Sequence, residues 1–132
     1  MIREIKAGKT LFGLIIDLKD VPIGTHPASD AKWSLQLLLM NRKRGHTVMN
    51  HMHKRIVKTT KQPQEGLVII RGEARVVIAD RKKKIIGTYT VKAGQCLFLA
   101  DGAHQVTFTK NSLAFEFKTG PYVADKIPLP AV

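Results

Sequence analysis

Short apolar segments follow one another along the chain, cut by glycine, proline and charged clusters, and none holds a helical apolar period for more than two turns. That rhythm belongs to a β-rich protein. Strands are predicted at Leu11 to Leu18, Ser34 to Met40, Thr47 to His53, Gly66 to Arg71, Ala74 to Ala79, Ile85 to Val91, Cys96 to Leu99, Gln105 to Thr109 and Leu113 to Lys118. "LQLLLM" also suits a turn of helix, because an uninterrupted apolar run has no period to read. The charged stretch "ADRKKK" between two β-branched segments reads as a solvated hairpin turn. "KAGQ" and "ADGAH" mark the next two connections, with Gly94 and Gly102 available for positive φ. About nine closely spaced strands predict a sandwich or barrel such as a jelly roll.

At 132 residues the chain is expected to form one domain, 1–132, with 127–132 as a proline-rich tail. The single cysteine, Cys96, excludes an internal disulfide and a cysteine-only zinc site. Set in the apolar "QCLFLA", it is expected to behave as a small hydrophobe rather than a nucleophile. Arg3, Lys6 and Lys9 precede "LFGLII" in the manner of a secretion signal, but the apolar stretch is too short and Asp17 ends it. No run approaches about 18 apolar residues, so a soluble, cytoplasmic protein without a membrane span is expected.

A formal net charge of +12 predicts attraction to anions, whether nucleic acid, an acidic surface or a phosphorylated small molecule. Aromatic residues are only 6% of the chain, which weighs against a base-stacking surface, and no nucleic-acid-binding signature accompanies the charge. Nucleic acid is therefore the least favoured partner.

The chemistry concentrates in "GHTVMNHMHKRIVKTTKQPQEGLVIIRG", Gly45 to Gly72. If Thr47 to His53 is a strand, His51 and His53 lie on one face with Cα atoms about 6.5–7 Å apart, a chelating arrangement. Glu65 opens the next strand and reaches the same face if the two pair, and His104 follows the turn "ADGAH". Imidazoles plus one carboxylate, with open positions for water or substrate, suit a divalent Fe, Mn, Ni, Zn or Cu ion. His26 and His46 are expected at the surface. Lys54, Arg55, Lys58 and Lys61 would sit at the rim, where Arg55 is the candidate to grip an anionic substrate. In "FEFKTGPY", Phe115 and Phe117 share one strand face and Glu116 and Lys118 the other, which is either a pocket or solvent. Tyr122 is either a hydrogen-bond donor there or an ordinary aromatic.

These residues resemble the cupin family. Its first motif has Gly, five residues, His-x-His, a gap, Glu, six residues and Gly, which Gly45, His51, His53, Glu65 and Gly72 meet with a longer gap than usual. Its second motif is similar to Gly94, Gly102 and His104, although Ala100 stands where the family has proline and one residue rather than two separates Gly102 from His104. "PQEGLVIIRGEARVVI", "KAGQCLFLADGAHQVTF" and "FEFKTGPYVADK" look like the small single-domain cupins of surface-polysaccharide and nucleotide-sugar synthesis. The likeness covers roughly Ser34 to Lys126. It implies an all-β double-stranded β-helix, the jelly-roll cupin barrel, with His51, His53, Glu65 and His104 as metal ligands at its mouth.

The function this reading expects is a metal-dependent isomerase or epimerase acting on a small anionic sugar or nucleotide-sugar. His104 or Tyr122 would move the proton, and Arg55, Glu116 and Lys118 would bind substrate. Sugar ketoisomerases of cupin fold resemble this in outline and can work with histidine bases and no metal, and an iron oxygenase is the rival within the enzyme class. The alternative of another class is a non-catalytic sugar- or metal-binding module. A homodimer is expected through the N-terminal strands within 1–40, using "LFGLII" and "LQLLLM".

Overall fold

Ten strands, all paired antiparallel, arise from these segments in a computed structural model that describes residues 1–132. They are β1 (Ile2–Ala7), β2 (Thr10–Asp17), β3 (Gly24–Pro27), β4 (Leu38–Asn41), β5 (Glu65–Arg71), β6 (Glu73–Ala79), β7 (Ile85–Lys92), β8 (Gln95–Leu99), β9 (Ala103–Phe108) and β10 (Leu113–Lys118). The only helical turn is a 3-10 turn at Leu18–Asp20, and no helix is long and apolar enough to cross a membrane. A five-stranded sheet runs β1-β2-β8-β5-β10, a three-stranded sheet runs β7-β6-β9, and β3 and β4 pair alone. This all-β arrangement is compatible with a β-sandwich or jelly roll.

Alternation along each strand decides which face is covered. Leu67 and Ile69 of β5, Ile15 of β2 and Leu97 and Leu99 of β8 meet Ala74, Val76, Ile78 and Val91 of the smaller sheet in the main core. The residues between them, Leu14, Ile16, Cys96 and Phe98, form a second core on the outer face of the large sheet. Val21 and Leu39 cover it, with Trp33, Leu35 and Leu37 packed alongside. Both faces of β2 and β8 are therefore buried, which is why these strands read as unbroken apolar runs.

Two glycines hold the corners. Gly72, at φ 90°, is the only residue between β5 and β6 and swings the chain from one sheet to the other. Gly102, at φ 84°, lies against the Ala79 carbonyl and the Phe12 ring, where a Cβ would collide. The hairpin after β6 closes as its composition implies: Asp80 Oδ1 accepts from the backbone N–H groups of Lys82 and Lys84 at 2.9 Å each, and Lys83 takes φ 70°.

Several boundaries differ from the sequence reading. Thr47 to His53 is not a strand: the chain from Arg42 to Gln64 has no regular structure, and Met49, Met52 and Val57 are exposed. A strand exists only when an edge accepts its backbone hydrogen bonds, and β4, the nearest element before it, pairs with β3 alone. Ser34 to Met40 shrinks to Leu38–Asn41, because Leu35 and Leu37 turn down onto the second core instead of extending. β1 and β3 carry no strand signal in the sequence. β1 is mostly exposed and charged, with only Ile5 buried, and β3 ends in Pro27. The interface role expected of "LFGLII" also changes. Phe12, Leu14, Ile15 and Ile16 are buried within the chain, while Leu38 and Met40 of "LQLLLM" stay exposed.

Candidate functional site

Strand register brings four of the expected side chains together at one end of the two packed sheets. Glu65 is the first residue of β5 and pairs with Lys118, the last of β10; Glu116 lies two residues back, opposite Leu67. Leu67 belongs to the main core, so Glu65, Lys118 and Glu116 all point between the sheets. His104 comes from the other sheet. It sits beside Ile78, also a core residue, directly after the turn that Gly102 shapes. The sequence pattern that put Glu116 and Lys118 opposite Phe115 and Phe117 is thus resolved: the charged pair faces the gap and the phenylalanines face outward, both more than half exposed.

The resulting cluster spans the gap. His104 Nε2 lies 3.1 Å from Glu65 Oε2, and Lys118 Nζ lies 3.4 Å from Glu65 Oε1 and 3.6 Å from Glu116 Oε2. The approach of His104 is hydrogen-bond close, but the pair is not well aligned, so its attraction is chiefly electrostatic. The Glu65 side chain is 22% exposed and that of His104 33%, so both are partly withdrawn from water yet reachable. The His104 ring facing it is the largest influence holding the Glu65 carboxyl down to about 2, against the opposing effect of burial, with the charge of Lys118 adding to the drop. The same contacts, Glu65 first and Glu116 second, raise the pKa of the Lys118 ammonium.

The remaining expected residues lie elsewhere. His51 and His53 are exposed in the irregular 42–64 segment, with ring centroids 5.0 Å apart and His51 Nδ1 2.7 Å from the Met49 carbonyl. Arg55 is exposed in the same segment. Tyr122 is 92% exposed, beyond the end of β10. Cys96 is buried on the outer side, where desolvation pushes its thiol up to about 11, in keeping with a packing role.

A divalent metal needs at least three converging donors, and no group of three or more His, Cys, Asp or Glu side chains is placed to hold one. Of the four expected ligands only Glu65 and His104 meet, and they face each other rather than a shared point. As placed, these side chains do not fit a metal centre. What the sequence did not single out is Gln64, whose amide is buried with both its nitrogen and its oxygen engaged: it donates to the Ala100 carbonyl at 3.2 Å and accepts from the Leu35 N–H at 3.2 Å. Gln64 fixes the start of β5, and with it Glu65, against the turn that leads to His104. A cavity of about 570 Å³, lined by Leu18, Val21, Met40, Val68 and Cys96, opens on the outer face, away from this cluster.

Compared with protein-family models and with curated proteins, the chain matches none.

Proposed function

We propose that the chain is a cupin-type jelly roll whose open end takes a small anionic, carbohydrate-like molecule and moves a proton on it, as a sugar isomerase or epimerase does. The observation that carries this reading is the inter-sheet cluster of His104, Glu65 and Lys118. A carboxylate facing Nε2 leaves His104 Nδ1, which has no partner within the chain, as the basic nitrogen toward a bound molecule, and it stabilises the imidazolium formed when that nitrogen takes a proton. The Lys118 ammonium, kept protonated by its two carboxylates, supplies the positive charge that a developing enediolate oxygen requires. The proton leaves a carbon beside a carbonyl, rests on His104 and returns to the neighbouring carbon while the hydroxyl proton passes between the two enediol oxygens by way of the Lys118 ammonium, or returns to the same carbon after the intermediate has turned its other face to His104. No external reactant is consumed. The net charge of +12 favours an anionic substrate by raising its local concentration.

A panel of aldose and ketose phosphates and nucleotide-linked keto sugars incubated in D2O, followed by proton NMR, tests the proposal. Exchange of a carbon-bound proton should occur with the unchanged protein and fall by about 100-fold or more in His104→Gln. It should persist in a His51→Ala, His53→Ala double variant. Binding of a panel member without any exchange would favour the second reading, a non-catalytic binding module. That reading is supported by Glu65 and Lys118 already satisfying one another.

A further inference from the structure

On the outer side of β5, back to back with the His104 cluster, lies a polar pocket of about 450 Å³ walled by the 32–34 loop, residues 59–64 and the Ala100–Asp101 turn. Gln64 directly precedes Glu65, the first residue of β5, and the two side chains point to opposite faces: Glu65 into the gap, Gln64 into this wall. The two sites are separate. Four polar heads around the pocket, Lys32, Thr59, Thr60 and Lys61, make no side-chain hydrogen bond or ion pair within the chain. They therefore remain free to bind. Its one acidic lining residue, Asp101, is already engaged by Arg81 Nε at 2.8 Å, and the Arg81 guanidinium also donates to Gln62 at 3.1 Å. The charge left over is positive. Trp33 gives the pocket an apolar wall, and its ring is braced by stacking on Phe98, with centroids 5.2 Å apart and planes 21° from parallel.

Two free ammonium groups, two free hydroxyls and a braced indole match a ligand with a phosphate at one end and a ring of hydroxyls with an apolar face at the other. The volume lies in the range of small-molecule sites. We infer that this pocket is a second binding site, for a phosphorylated monosaccharide, independent of the His104 cluster.

Trp33 is the only tryptophan of the chain, so its emission reports on this pocket alone. The experiment titrates the full-length protein with glucose 1-phosphate and, in separate arms, with glucose and with inorganic phosphate. A saturable change in emission with glucose 1-phosphate is expected, at lower concentration than with either fragment. It should weaken about tenfold or more in a Lys32→Ala, Lys61→Ala double variant, since both heads are exposed and dispensable for folding, and it should be retained in His104→Gln. The inference is overturned by three results: no saturable change, an affinity unaltered in the double lysine variant, or a response lost with His104 rather than with the lysines.

Discussion

Glu65 is the residue on which the open end of the sandwich turns, because it holds one side chain from the opposite sheet and one from its own. Its carboxyl lies near 2 when folded, below its ordinary value of 4.5, so the folded state binds its proton more weakly than the unfolded state does. The stabilisation this gives is complete above about pH 4.5 and is lost as pH falls from there through about 2. Glu65→Gln should lower stability at pH 7 by about 1–3 kcal/mol, the range for depriving a partly buried polar group of its partner. It should also flatten the decline between pH 4.5 and pH 2, as measured by denaturant unfolding across that window. A variant as acid-sensitive as the unchanged protein would place the titrating carboxyl elsewhere. Cys96 gives a second check. Burial raises its thiol to about 11, so a thiol reagent should label the native protein only at the rate of unfolding, and labelling within seconds at neutral pH would contradict the packing described.

Among the elements, the turn from Ala100 to Gly102 is the most exacting, since it must deliver His104 to the mouth. Gly102→Ala should cost about 1–3 kcal/mol from the left-handed backbone alone, with the crowding against Ala79 and Phe12 added. Thermal unfolding measures it. The irregular 42–64 segment carries Lys54, Arg55, Lys58 and Lys61 in exposed backbone, and brief trypsin treatment should cut there before any strand is attacked, as read by mass spectrometry. Elements with strong local signals were legible in the sequence: β6 and β7 with their Asp80 turn, β8 with its two buried faces, and the alternation of Phe115, Glu116, Phe117 and Lys118. The histidine pair was not, because alternation says which face a residue would take in a strand but not whether an edge exists to pair with it. The approach of Glu65 to His104 was legible only as a spacing, since it joins two sheets across a gap that no local pattern encodes.

At the scale of the whole molecule, two sheets share one core but meet at one end through the His104–Glu65 contact, with β9 and β10 each at one edge of its sheet. Their residues are less buried than those of β6 and β8, so the amides of β9 and β10 should exchange hydrogen before those of β6 and β8 in native-state exchange. The same architecture separates the two sides of β5, placing the His104 cluster between the sheets and the Trp33 pocket behind them. Side-chain nitrogen NMR of the histidines, compared between the unchanged protein and Glu65→Gln, reads the central arrangement without knowledge of the substrate. The expected result is that the His104 imidazole resonances shift while those of His51 and His53 stay in place; a joint shift of all three would mean that they share one site with Glu65 and that the cluster described here is wrong.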